Sequence, residues 1–315
     1  MLANLLMLNF AESDLEPQYW QRLKAVSDNV TLLSADSPDV RAELSNADGL
    51  MLKLGMSADR ALIDQAPKLR YIGMLGTGYG RIDTDYAASK GVVVCNVADY
   101  STAGVAEFTF AALLAHMREI PRGLAQAASG DYSEATFTGS EISGKTFGVV
   151  GLGHIGRRVA EMASAGFGAK TVYWSRSPKS FADHSKIARS ELPVLLAEAD
   201  IVSLNLEYNS DTERIIDGDA LAKVKPGAIL INTAPMEIID LDALTARLDE
   251  NGITFILDHS DELQSADAER LAQRENCIMY PPIAYTTNEA TAAKLDIFVG
   301  NLEHFLQGSP TNQVN

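Results

Sequence analysis

From about residue 30 the chain alternates short runs rich in β-branched and other apolar residues with longer segments whose apolar positions recur at helical spacing. The runs read NVTLLS, ADGLMLK, LRYIGML and GVVVCN, then TFGVVGLG, KTVYWS, ADIVSLNL, GAILINTA, GITFILDH and NCIMYPP; the opening MLANLLMLNF reads as a strand ahead of them. Near-continuous apolar strands separated by helices are what a parallel sheet covered on both faces requires, so the pattern predicts an α/β protein. The polar, glycine-containing stretch 128–145 is a loop dividing two such patterns of about five or six strands each. Before it, 101–128 predicts one long helical stretch. After the last strand, 286–308 predicts a closing helix whose Ala293, Leu295, Ile297, Phe298, Leu302 and Phe305 must pack on something. Returning that helix to the first pattern gives a discontinuous domain, 1–100 plus 286–315, and a second domain, 101–285, set within it, with two crossovers at a hinge and a cleft between the domains.

Composition narrows what such a fold can do. A chain of 315 residues suits two domains at roughly 150 residues each. No apolar run approaches the roughly 20 residues of a membrane span, and the N-terminus lacks the basic start of a signal peptide, so a cytoplasmic protein without membrane partners is expected. Cys95 and Cys277 stand far apart in apolar text and read as buried reduced thiols; no metal site is expected. Acidic residues number 42 against 26 basic ones, for a net charge of −16. That surface repels phosphate backbones, which argues against nucleic-acid partners, and any anionic cofactor needs a local device to hold it.

The device is in the second pattern. Gly151, Gly153 and Gly156 have G-x-G-x-x-G spacing directly after an apolar strand and directly before an amphipathic helix opened by His154 and Ile155. The first glycine permits the tight turn, the second lets backbone approach a pyrophosphate, and the third lets helix pack on strand. The free N–H groups of the helix start then face the phosphates. About 20 residues further on, an NAD site places a carboxylate on the ribose 2′-hydroxyl. Here Ser175 and Arg176 occupy that place, and a hydroxyl with a guanidinium suits a 2′-phosphate, which favours NADP over NAD. If Arg176 only stacks on the adenine or is solvated, NAD remains acceptable.

Over nearly its whole length the chain resembles the D-isomer-specific 2-hydroxyacid dehydrogenases. The resemblance is carried by LRYIGMLGTGYGRID, GVVVCNVADYSTAGVAEFTFAALL, SGKTFGVVGLGHIGRRVA, AEADIVSLNL, VKPGAILINTA, ILD and the closing NLEHFLQGSPTNQVN. It implies two doubly wound parallel-sheet domains, a Rossmann-type nucleotide domain inserted in a flavodoxin-like substrate domain, and a homodimer joined through the helix beginning near Val105 and Glu107. It implies that a small substrate's carboxylate meets the Gly76, Thr77 and Gly78 amides and Lys53, and that Thr102 approaches the cofactor phosphates. It also implies that Asp258 holds the nicotinamide carboxamide. Asn205, Thr233 and Ala234 fall at strand C-termini, where ligands of open parallel sheets bind.

The departures are chemical. Where the family carries its arginine, after NTA, this chain has Pro235; where it carries its acid–base histidine, this chain has Pro282. Glu262 is a remnant, one place out of register, of the glutamate that orients that histidine. Positioned proton transfer contributes roughly 10²- to 10⁴-fold to carbonyl reduction, and proline cannot supply it. Replacement candidates are His259, which reads equally as a packed or solvated residue, and Tyr285, which reads more readily as a pocket wall. His116, His184 and His304 lie away from strand ends and receive no chemistry. Two functions follow: an NAD(P)-dependent oxidoreductase of a small carbonyl or hydroxy compound with an altered catalytic site, or a catalytically silent NAD(P)-binding sensor or interaction protein.

Overall fold

Each apolar run forms a parallel β-strand in a computed structural model of the chain, which describes residues 1–184, 186–250 and 252–315, the side chains of Asp183 and His184 excepted. The chain divides into two units, Met1–Tyr100 with Asn288–Asn315, and Ser101–Thr287.

In the first unit β1 (Leu2–Leu8), β2 (Ser27–Leu33), β3 (Gly49–Lys53), β4 (Tyr71–Leu75) and β5 (Val93–Cys95) form one parallel sheet in the order β2-β1-β3-β4-β5. Helices α1 (Pro17–Val26), α2 (Val40–Asn46), α3 (Arg60–Gln65) and α4 (Thr84–Ser89) make the crossovers. The winding reverses between β1 and β3, the flavodoxin-like order. The closing helix Asn288–Leu306 buries Leu295, Phe298, Val299 and Leu302 in the same core as Met7, Met51 and Tyr71. The Phe298 ring lies 5.8 Å from that of Phe10, and burying it contributes about 2–3 kcal/mol. Ala293, Ile297 and Phe305, expected on that stripe, are only partly buried.

In the second unit β6 (Thr146–Val150), β7 (Lys170–Trp174), β8 (Ala188–Arg189), β9 (Ile201–Leu204), β10 (Ala228–Asn232), β11 (Ile253–Leu257) and β12 (Cys277–Met279) run parallel in the order β12-β11-β10-β9-β6-β7-β8. The winding reverses between β6 and β9, as in Rossmann sheets. Strand β8 was not foreseen: its two residues are exposed and carry no apolar signal.

The long helix predicted over 101–128 is two helices, α5 (Thr102–Met117) and α6 (Ile120–Ala128). Pro121 enforces the break. It has no N–H to give the Met117 carbonyl, and its ring excludes that oxygen, which takes the Ser140 N–H at 2.9 Å instead. Glu119 turns the corner in the left-handed region, at φ 51°. The remaining helices are α7 (His154–Glu161), α8 (Leu192–Glu198), α9 (Gly218–Lys223), α10 (Leu241–Asp249) and α11 (Ser265–Ala272). Among the described residues no helix is long and apolar enough to cross a membrane.

Candidate active site

The elbow after β6 uses each glycine differently. Gly151 sits at φ +93°, where a Cβ would also lie 2.5 Å from the Asn205 carbonyl oxygen, so both conformation and space demand glycine. A Cβ on Gly156 would lie 1.9 Å from the Gly151 carbonyl oxygen; α7 can approach the turn only without a side chain there. Gly153 caps α7 with ordinary extended angles, and a Cβ would meet nothing within 4 Å. Its glycine is required neither by strain nor by packing. The open space lies at the N-terminus of α7, where His154, Ile155 and Gly156 present first-turn N–H groups and the positive end of the helix dipole.

Past the end of β7, Ser175 is buried and its hydroxyl donates to the Ser177 carbonyl at 2.6 Å. Arg176 is 83% exposed and pairs with Asp211 at 3.1 Å. The two residues named for the ribose therefore differ: one hydroxyl is turned into its own loop, and one guanidinium reaches into solvent.

Strands β9, β10 and β11 are neighbours, and Asn232 pairs in register with both Leu204 and Leu257. The next residue on each strand is Asn205, Thr233 and Asp258, so these three stand side by side on the carboxyl edge of the sheet. Each leaves one buried oxygen without a hydrogen-bond partner: Asn205 Oδ1, Thr233 Oγ1 and Asp258 Oδ2. An orphan of this kind costs about 1–3 kcal/mol, so a row of them is a place built for a ligand's polar groups. Asp258 is held rigidly, its Oδ1 accepting the N–H groups of Ile283 and Ala284, both at 3.0 Å. Burial pushes its carboxyl above the usual aspartate range, opposed by those two N–H groups and by His259. A bare carboxylate oxygen beside a hydroxyl and an amide oxygen fits a carboxamide NH₂, so these residues fit a nicotinamide. Ala234 is buried in a turn clamped by Asn232, whose side chain donates to the Ala234 carbonyl at 2.8 Å and accepts its N–H at 3.2 Å. Thr102 opens α5, and that helix start packs under Ala284: a Cβ on Gly104 would lie 3.3 Å from the Ala284 carbonyl oxygen.

Pro235 leads into a single helical turn, Met236–Ile238. The Glu262 carboxylate closes on that turn, Oε2 accepting the Met236 N–H at 3.1 Å, while Oε1 stands 3.4 Å from His259 Nδ1. His259 Nε2 lies 3.9 Å from the bare Oδ2 of Asp258, and the imidazole stacks on Tyr285 with centroids 6.5 Å apart and planes 19° apart. Burial raises the Glu262 carboxyl; the Met236 N–H and His259 pull it down, while Glu237 and Asp261 push it further up. Glu262, His259 and Tyr285 thus form one cluster.

In the first unit Lys53, at the end of β3, pairs with Asp14 at 2.7 Å and lies over the Phe10 ring at 5.4 Å. Past β4 the Gly76 N–H is taken by the Met74 carbonyl at 3.0 Å, while the Thr77 hydroxyl donates to Val97 and the Thr77 carbonyl accepts from Asn96. Among the described residues no hydrogen bond engages the Thr77 and Gly78 amides. The cysteines are inert: burial raises the Cys95 thiol to about 11 and the Cys277 thiol to about 12. Asn232, Asp14 and Asp211 were missed by sequence reasoning. Only Asn232, an amide closing an apolar run, carried a local signal.

A parallel sheet with a glycine elbow at its switch point and three bare oxygens along its carboxyl edge defines a nicotinamide-dinucleotide-binding α/β protein. Residues 110–284 match the family described as D-isomer specific 2-hydroxyacid dehydrogenase, NAD binding domain. A glyoxylate reductase of Thermococcus litoralis is 33% identical over 283 residues, 87% of this chain and 85% of its own. A D-lactate dehydrogenase from Aquifex aeolicus, solved with NAD and lactic acid, is 25% identical with a TM-score of 0.83, covering 97% of this chain and 96% of that one. An acyclic imino acid reductase solved with NADPH and D-arginine is 27% identical with a TM-score of 0.84, covering 99% and 100%. The chain belongs to the D-isomer specific 2-hydroxyacid dehydrogenase family, an oxidoreductase family with an NAD(P)-binding domain. That membership does not favour the silent sensor.

Proposed function

We propose that the protein transfers hydride between a nicotinamide cofactor and a small 2-oxo or 2-hydroxy compound, with the unit 101–287 holding the dinucleotide and the unit 1–100 with 288–315 holding the substrate. The observation that carries this reading is the row of bare oxygens on Asn205, Thr233 and Asp258 one strand from the glycine elbow. When bound, the nicotinamide supplies or accepts the hydride. The Asp258 carboxylate would hold the carboxamide and the N-terminus of α7 the pyrophosphate, while Thr77, Gly78 and Lys53 would receive the substrate's carboxylate. NADP is preferred to NAD, because Arg176 brings positive charge to the ribose end and no carboxylate stands at 175 or 176 to repel a 2′-phosphate. The protein works as a cytoplasmic homodimer. In support, α6 buries no residue in its own chain and exposes Ile120 at 46% and Leu124 at 68%.

A second reading is favoured by Pro235 and Pro282, which remove an arginine and a proton donor together. A C=N substrate already protonated on nitrogen accepts hydride without a donor, the substrate type named for the imino acid reductase above. The experiment is consumption of NADPH and NADH, followed by fluorescence, across 2-oxo acids, aldehydes and ketones, each with and without added ammonium. Turnover without ammonium supports the first reading, turnover only with it supports the second, and binding without any turnover overturns both.

A further inference from the structure

The histidine missing from the end of β12 has a counterpart one strand away. His259 directly follows Asp258 at the end of β11, and two contacts position its ring. Tyr285 stacks on one face. Glu262 Oε1 stands 3.4 Å from Nδ1, and Oε2 accepts the Met236 N–H at 3.1 Å, which orients the carboxylate. The turn that follows His259 is anchored in its own right, the Ser260 hydroxyl donating to the Tyr280 carbonyl at 2.8 Å. A carboxylate on Nδ1 keeps the neutral ring's proton there and leaves Nε2 to exchange protons. Nε2 lies 3.9 Å from Asp258 Oδ2, the oxygen proposed for the carboxamide, so a nicotinamide held there would lie beside the exchanging nitrogen.

We propose that His259 is the acid–base residue of this enzyme and Glu262 its positioning carboxylate, a pair moved from the end of β12 to the end of β11. The inference rests on the carbonyl reading above. In the reducing direction hydride supplied by the cofactor adds to the carbonyl carbon, the C=O π pair moves to oxygen, and the His259 Nε2 proton passes to that oxygen. The carbonyl is reduced to an alcohol, the cofactor is oxidised, and the neutral imidazole recovers its proton from water. The oxidising direction is the reverse. The charged and titratable groups around the imidazole are Asp258 and Glu262, with Asp261 and Glu237 behind Glu262, and Tyr285 from the segment after β12. Tyr285 presents its face to the imidazole and serves as a wall.

The test uses the full-length protein with NADPH and its best 2-oxo substrate. His259→Asn is expected to lower kcat by about 10²- to 10⁴-fold with NADPH affinity unchanged, and to flatten the pH profile of kcat. Glu262→Gln is expected to lower kcat with little change in KM and to displace the pH profile, and Glu262→Asp to recover part of the loss. NADPH fluorescence and a melting curve identify any variant that fails to fold, and His259→Gln is the substitute in that case. Wild-type kcat and pH profile retained by a folded His259 variant overturn the pair while leaving the oxidoreductase reading intact. A wild-type protein that turns over no panel member, or only in the presence of ammonium, overturns the carbonyl reading and the pair with it.

Discussion

The Glu262 carboxylate accepts the backbone N–H of Met236 at 3.1 Å, across 26 residues of sequence. Met236 follows Pro235. Proline fixes its own φ, here at −52°, and with ψ at 142° it leads into the single turn whose first N–H Glu262 accepts. The loop after β10 is thus held through a backbone N–H, and the acid that grips it also reaches His259.

Asp258→Asn separates cofactor binding from stability. Burial raises the Asp258 carboxyl, so its contribution to folding is full below the ordinary aspartate value near 3.8 and is lost as pH rises through the raised folded value. An amide pays no such penalty, and its oxygen can still accept from Ile283 and Ala284. The melting temperature of the variant relative to wild type should therefore increase between pH 4 and pH 8, while NADPH binding weakens at every pH. Melting curves and fluorescence titrations on the same samples check both; a temperature difference that is flat or falls with pH contradicts the assignment.

Gly153 and Gly156 should behave oppositely. Alanine at 156 places a Cβ 1.9 Å from the Gly151 carbonyl, an overpacking that costs about 1–3 kcal/mol or more and lowers the melting temperature. Alanine at 153 meets no protein atom within 4 Å and leaves melting unchanged. It intrudes on the space assigned to the pyrophosphate, and the Kd for NADPH should rise about tenfold or more, some 1.4 kcal/mol. Equal effects of the two substitutions on binding and melting would count against a ligand at the elbow.

Coenzyme preference should follow Arg176 and its partner. Arg176→Ala is expected to weaken NADPH by about 1 kcal/mol, roughly fivefold, and leave NADH unchanged; the effect is small because the guanidinium is 83% exposed. Asp211→Asn frees that guanidinium and should strengthen NADPH selectively. Both effects should fade at high salt. Titration with the two coenzymes at low and high ionic strength decides; equal losses for NADH and NADPH in Arg176→Ala would place the residue on the adenine instead.

The features legible in the sequence are those set by neighbours along the chain. The elbow glycines lie at the junction of strand and helix, and Asn205, Thr233 and Asp258 each directly follow the last residue of a strand, so period and strand length locate them. Contacts across long separations carried no such signal. Glu262 reads as one place out of register, yet the single turn Ser260–Glu262 brings its carboxylate to Met236 and His259. Asp14 on Lys53 and Asp211 on Arg176 are surface carboxylates whose partners only the folded chain selects. The α5–α6 break was legible in Pro121 and was outweighed by the apolar text on both sides.

Asn301 connects the stability of the first unit to its function. The side chain is buried on the closing helix, and its Nδ2 donates to the Asn96 carbonyl at 2.7 Å. Its Oδ1 accepts from the Thr311 hydroxyl at 3.0 Å and from Asn312 Nδ2 at 2.8 Å. Asn96 in turn donates to the Thr77 carbonyl at 2.8 Å, so one amide ties the closing helix and the C-terminal tail to the loop proposed to receive the substrate. Asn301→Ala removes the donor and acceptor together, leaving the carbonyl of the buried Asn96 without this partner and releasing the exposed Thr311 and Asn312, which should cost about 1–3 kcal/mol. The loss should be local in its functional effect: KM for the substrate rises as the Thr77 loop loosens, while NADPH affinity, which depends on the other unit, stays constant. Asn301→Asp keeps the acceptor and removes the Nδ2 donor, so it should retain the tail and still lose the Asn96 contact. A melting curve, a KM and an NADPH titration for both variants test the connection, and a parallel loss of NADPH affinity would contradict it.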